Sequence, residues 1–97
     1  MKKYFVYIVK CSDGSYYTGI SSNLEKRLLD HNQGKHPDGY TYKRRPVTLM
    51  YYAEFTEPEA AIEVEKQIKK WSRAKKEALI EGDYDALINL AKKNFKL

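Results

Sequence analysis

The stretch YIVKCSDGSYYTGISSNLEKRLLDHN, Tyr7 to Asn32, holds two strand-like runs, a glycine turn and the start of a helix. Residues from Lys3 to Lys10 and from Tyr16 to Ile20 are rich in β-branched and aromatic side chains. SDGS between them supplies a Gly-containing turn, so the segment reads as a β-hairpin. Ser22 with Glu25 matches a capping box, Leu24 and Leu28 follow at helical spacing, and Gly34 is a natural stop, which predicts a helix from Asn23 to about Gln33. The turn leaves one question open. A two-residue turn at Asp13-Gly14 sends Tyr7 and Tyr17 to opposite faces of the sheet, whereas a three-residue loop with a bulge at Gly14 returns them to one face.

The helix carries polar residues where apolar ones belong. With Leu24 at zero and about 100° per residue, Leu28 falls at about 40°, His31 at about −20° and Arg27 at about −60°. Lys26 and Asp30 point the other way, as a solvated face requires. Arg27 and His31 either snorkel from the edge of the apolar arc or face a common site.

Further along, GKHPDGYTYKRRP combines glycines, prolines and basic residues and predicts an irregular, mobile, positive loop. VTLMYYAEF reads as a third strand. Thr56 and Glu59 form a second capping-box signature, opening a helix through about Lys70; Ser72 and Asp83 can cap two shorter helices on either side of Gly82. In this second helix Ala61, Val64, Ile68 and Trp71 define the apolar side, and Glu65 falls among them at about 40° from Ala61. A carboxylate there needs a cation, either Arg27 in a structural ion pair or a metal. The predicted fold is α+β, a three-stranded, mostly antiparallel sheet flanked by helices. The chain of 97 residues reads as one domain, with a core over about 4–71 and C-terminal helices over about 72–95.

The formal charge of +5 favours polyanions over acidic partners, and nine tyrosines suit a surface that touches polar ligands. A lone cysteine, Cys11, excludes an internal disulfide and a thiolate-rich zinc site and is compatible with a reducing cytoplasm. The apolar run of MKKYFVYIVKC is too short for a secretory leader and ends at Lys10; no stretch is long and apolar enough to span a bilayer, so a cytoplasmic location without membrane attachment is expected.

Two phenols, a guanidinium, an imidazole and a carboxylate suit phosphodiester hydrolysis. Glu65 would hold one hard divalent cation, Arg27 would offer its planar fork to a phosphate, and a phenol would take a proton from water. Read singly, each tyrosine is also an ordinary strand former.

On the two triplets Phe5-Val6-Tyr7 and Tyr17-Thr18-Gly19, Arg27 and His31 in EKRLLDHN, and Glu65 in AAIEVEKQIKKW, the chain resembles the GIY-YIG nucleases. The likeness extends over nearly the whole chain to small stand-alone bacterial members of that superfamily. It implies a metal-dependent DNA endonuclease using Mg²⁺ or Mn²⁺ at Glu65, with Tyr7, Tyr17, Arg27, His31 and Glu65 as catalytic residues and Tyr17 the favoured proton acceptor. Phe5 stands where the first triplet has glycine, and Thr18 where the second has isoleucine. Ile20 and Glu77 stand where excision nucleases carry a lysine and an asparagine.

With no attached targeting domain in the chain, affinity is expected from Lys35, Tyr40, Tyr42, Lys43, Arg44 and Arg45 of the loop, and from Arg73, the two tyrosines stacking on exposed bases. The expected partner is DNA, duplex, branched or single-stranded, read by structure rather than sequence; RNA and a protein partner stay open. The competing readings are a nucleic-acid-binding module of the same fold with little catalysis, and an interaction domain in which Arg27 and Glu65 form a buried salt bridge.

Overall fold

A computed structural model of the chain describes residues 2–88. Its elements are β1 (Tyr4–Lys10), β2 (Tyr16–Ser21), α1 (Leu24–Gln33), a 3-10 turn (Tyr42–Arg44), β3 (Thr48–Phe55), α2 (Pro58–Lys69) and α3 (Arg73–Glu81). The three strands form one antiparallel sheet in the order β2-β1-β3. This is the expected α+β layer.

The central strand explains the sheet's stability. Val6, Tyr7, Ile8 and Val9 are all fully buried, because β1 is covered on both faces. Val6 and Ile8 pack with Ala61 and Ile68 of α2, and Leu79 and Ile80 of α3 close the same cluster. Tyr7, Val9 and Cys11 point the other way, to Leu24 and Leu28 of α1 and to Val47. Burying each aliphatic side chain contributes roughly 1.5–3 kcal/mol, so β1 anchors two cores at once.

The hairpin uses the bulged alternative. Cys11 N–H donates to Ser15 O at 2.8 Å and Gly14 N–H to Cys11 O at 3.0 Å, while Gly14 adopts φ +84°. A three-residue loop, Ser12 to Gly14, therefore joins the strands, and only a residue tolerant of positive φ fits its last position. The resulting register pairs Val9 with Tyr17 and Tyr7 with Gly19, so Tyr7 and Tyr17 share a face.

The helices depart from the sequence reading in three places, two of them at helix ends. Asn23, not Ser22, caps α1: its side chain accepts from Lys26 N–H at 3.1 Å, and Ser21 Oγ in turn accepts from Asn23 N–H at 3.0 Å. Gly34 ends the helix in the left-handed region as expected. The Thr56–Glu59 box is not used. Glu57 occupies the cap position without a side-chain bond, and Pro58 starts the helix, where its missing N–H costs nothing and its fixed φ is already helical. Asp30, expected in solvent, is buried, because Lys35 N–H folds back onto Asp30 O at 3.1 Å and the Lys26 and Lys35 ammoniums lie 3.6 and 3.8 Å from its carboxylate.

Ser72 caps α3 by accepting from Lys75 N–H at 3.2 Å, and Gly82 ends it. Asp83 Oδ1 accepts from Ala86 N–H at 3.1 Å and opens a further helical stretch over 84–88. The part of the expected C-terminal helices beyond residue 88 lies outside the described residues.

Candidate active site

Tyr7 leaves the centre of the sheet toward α1 and crosses the backbone of β2 at Gly19. A Cβ on Gly19 would lie 2.9 Å from Tyr7 Cε2 and closer still to Cζ and the hydroxyl, so the triplet's glycine is the space the phenol occupies. Beyond it, Tyr7 Oη meets His31 Nε2 at 2.8 Å. His31 is buried, and its other ring nitrogen, Nδ1, lies 2.8 Å from Thr41 Oγ1. Tyr17 completes the group: its ring meets His31 edge-on at 5.6 Å between centroids and stacks on Tyr40 at 5.8 Å with an 18° tilt. The shared surface required of Tyr7, Tyr17 and His31 is present.

Arg27 joins them from the preceding turn of α1. Burial pushes the Tyr7 phenol above its ordinary value, and the Arg27 guanidinium beside it works against that rise by favouring the phenolate. Tyr7 in turn holds the guanidinium more firmly protonated, outweighing the effect of burial on Arg27. Burial is also the main cause that lowers His31; the nearby charges of Arg27 and His36 add to it and Asp30 opposes it. His31 is therefore neutral at neutral pH. Arg27 Nε is buried and, among the described residues, has no hydrogen-bond partner.

Glu65 arrives from α2, which packs against β2 and β1. It is buried as its helical position predicts, but its partner is Lys69 one turn on, Nζ to Oε2 3.3 Å, and among the described residues no Arg27–Glu65 ion pair forms. Lys69 Nζ also lies 6.0 Å from the Tyr17 ring centroid, which ties the carboxylate to the tyrosine cluster. The geometry of the ammonium does not make a hydrogen bond, and Glu65 Oε2 is left buried without a donor. Such an oxygen suits a cation. Among the described residues no three His, Cys, Asp or Glu side chains gather as a metal cage. A single carboxylate fits the habit of Mg²⁺, which keeps several waters and completes its shell with substrate oxygens.

The basic loop is irregular apart from its 3-10 turn, as expected, and is held by its own contacts. Arg44 donates from Nε to Asp13 Oδ2 at 3.1 Å and from Nη1 to Tyr40 O at 2.9 Å, with its guanidinium 4.0 Å from the Tyr40 ring centroid. Tyr40, expected to stack on bases, thus contacts both Tyr17 and Arg44 and is 43% exposed. Arg45 Nε donates to Tyr42 O at 2.8 Å and its guanidinium covers the Tyr42 ring at 4.4 Å. Lys43 is exposed, and among the described residues no ion pair engages it; Lys35 leans on Asp30. Arg73 is exposed but engaged: Nη1 donates to Gly14 O at 2.6 Å, and the guanidinium lies 4.7 Å from the Tyr16 ring, so it clamps the hairpin turn to α3. Glu77, the residue at the departure from the excision-nuclease pattern, accepts from Tyr16 Oη at 3.1 Å in the same clamp.

Nothing in the sequence marks Thr41, a threonine within a loop whose return path only the fold reveals. Lys69 is half legible: the Glu65–Lys69 spacing is an i,i+4 pair, yet its approach to Tyr17 depends on the packing of α2.

The chain matches the GIY-YIG catalytic domain over residues 3–78. It is 48% identical over 80 residues to a UPF0213 protein of Staphylococcus saprophyticus, covering 82% of this chain and 96% of that one. Two solution NMR structures are similar. One is a UPF0213 protein of Bacillus halodurans, 37% identical with a TM-score of 0.54, over 87% of this chain and 92% of that one. The other is a protein of E. faecalis, 34% identical with a TM-score of 0.60, over 87% and 88%. The domain match, the UPF0213 relatives and a three-stranded sheet carrying both triplet tyrosines on one face agree: this chain belongs to the GIY-YIG family, among its UPF0213 members.

Proposed function

We propose that the protein is a divalent-metal-dependent endonuclease that hydrolyses DNA phosphodiester bonds and selects its substrate by structure rather than by sequence. The observation that carries this reading is a pair of buried atoms that make no hydrogen bond among the described residues: Arg27 Nε, a donor suited to a phosphate, and Glu65 Oε2, an acceptor suited to a cation and already faced by the Lys69 ammonium at 3.3 Å. Both flank the cluster of Tyr7, His31 and Tyr17. The cavities lined by Phe5, Leu24 and Tyr52, or by Asn32, Lys43 and Arg45, lie apart from that cluster. Tyr17, partly exposed, is the member of the cluster that a substrate can reach.

In this reading Arg27 presents N–H groups to the scissile phosphate and stabilises charge as it develops there. Tyr17, partly exposed while Tyr7 is fully buried, is the phenol that water can reach, and it takes the proton from the attacking water. Tyr7 and His31 hold Arg27 and the floor of the site. Glu65 would hold Mg²⁺ or Mn²⁺, which when bound supplies Lewis-acid stabilisation of the phosphate oxygens. Lys43 and the outward edges of Arg44 and Arg45 supply contacts to backbone phosphates, which carry no sequence information. Among the described residues no helix is long and apolar enough to cross a membrane, which suits an enzyme working on DNA in the cytoplasm.

The test is cleavage of a panel of branched, nicked, duplex and single-stranded DNA with Mg²⁺ or Mn²⁺, wild type beside Glu65→Gln. Divalent-dependent cutting by the wild type and none by the variant is the expected result. Binding without cutting on every substrate and with either ion would replace the enzyme by a binding module of the same fold.

A further inference from the structure

The bond between His31 and the loop settles a question of direction. Tyr7 Oη and Thr41 Oγ1 lie at opposite ends of one buried imidazole, each at 2.8 Å, and a neutral ring donates at one nitrogen and accepts at the other. A guanidinium carries only donors, so toward Tyr7 the Arg27 side chain can present nothing but N–H. The phenol proton needs an acceptor, and the one provided among the described residues is His31 Nε2. Tyr7 has no exposure at all, so a phenol proton left without an acceptor has no water to turn to. Thr41 keeps 5% exposure and a hydroxyl that rotates. A phenol is also a far better proton donor than an aliphatic alcohol.

We propose that Thr41 is a positioning residue of the site: by accepting the Nδ1 proton of His31 it holds the ring in the tautomer whose Nε2 accepts from Tyr7. The hydrogen-bond chain then runs from Tyr7 through His31 to Thr41, every donor pointing toward the loop. Tyr7 is pinned as a donor to His31, and the lone pairs on its oxygen are left to orient Arg27. The same bond makes the loop between α1 and β3 part of the site: its 3-10 turn, begun at Thr41, sets the imidazole and, through Tyr40, the ring of Tyr17. The contribution of this chain to cleavage rests on the nuclease reading above; the tautomer does not.

The test is a long-range ¹H–¹⁵N correlation spectrum of the imidazole at neutral pH, in a His36→Gln background where His31 is the only histidine. The expected result is a protonated Nδ1 and an unprotonated Nε2. Thr41→Val, nearly isosteric, should lose that pattern in favour of Nε2–H, and Thr41→Ser should restore it. A wild-type ring protonated at Nε2, or an unchanged tautomer in Thr41→Val, overturns the proposal. The wild-type spectrum decides even if the valine variant does not fold, and no nucleic acid is involved. Where the wild type cleaves DNA, Thr41→Val should lower kcat about tenfold with KM little changed and Thr41→Ser should not; an unchanged kcat removes the catalytic consequence.

Discussion

Replacing Glu65 with glutamine separates a catalytic carboxylate from a structural one, because the structure bounds the stability cost. A buried ion pair with Arg27 would lose roughly 3–5 kcal/mol when one partner is removed. The partner present is instead Lys69, whose side chain is 55% exposed, at 3.3 Å along one helix face. Helix pairs at this spacing contribute about 0.3–0.5 kcal/mol when exposed, and this one, with an exposed ammonium and a carboxylate 12% exposed, lies somewhat above that range and well below a fully buried pair. Glutamine keeps the volume, and the oxygen it replaces accepts no hydrogen bond. The expected loss is therefore under about 1 kcal/mol, which in a chain of this size lowers Tm by no more than about 4–8 °C. Cleavage should fall by at least about a hundredfold, from the loss of the charge that holds the metal, while affinity for DNA in the absence of divalent ions stays near wild type. Thermal unfolding, single-turnover cleavage and metal titration by calorimetry, run on the same preparation, check all three. A variant that melts as if about 3 kcal/mol had been lost would make Glu65 structural, and one that cuts at the wild-type rate would remove it from the chemistry.

Gly19→Ala should cost about 1–3 kcal/mol by forcing the Tyr7 ring aside, read from urea midpoints; a neutral effect would mean the ring is not held across β2. Tyr7→Phe leaves His31 Nε2 buried without its donor and should cost about 1–3 kcal/mol, more than Tyr17→Phe, whose hydroxyl lies outside the buried chain of bonds from Tyr7 to Thr41. Because burial and Arg27 lower the His31 pKa while the unfolded chain titrates near 6.5, the unfolded state binds the extra proton first. Stability should therefore be lost as pH falls below about 6.5, and the loss should shrink in His31→Gln; the surrounding charges are Arg27, His36 and Asp30. A urea midpoint with the same acid slope in the variant would contradict this. On duplex DNA, Lys43→Gln should reduce the slope of log affinity against log salt by about 0.9 if it meets one phosphate, measured by fluorescence anisotropy, whereas an unchanged slope would leave it merely solvated.

The local code of this protein was legible where chemistry and geometry sit within one element. Strand composition, Gly34 and Gly82 as helix ends, and the placement of His31 and Glu65 on apolar arcs follow from periodicities of 2 and 3.6. Capping was less so: Asn23 and Ser22 are both competent caps, and the choice fell to the residue that Ser21 could support from the end of β2. The hairpin turn allowed two registers from the same SDGS, and packing decided between them, since only the bulged one buries Tyr7 over Gly19 while Val6 and Ile8 face α2. What tertiary structure alone decided is the partner of each polar group. Glu65 chose Lys69 over Arg27, Arg73 met the hairpin carbonyl, Tyr40 met Tyr17 and Arg44, and Thr41 met His31 across a loop. Helical and strand periods fix which way a side chain points, but a hydrogen bond or ion pair depends on where distant backbone brings the second atom, to within an ångström, and no spacing in the sequence carries that distance.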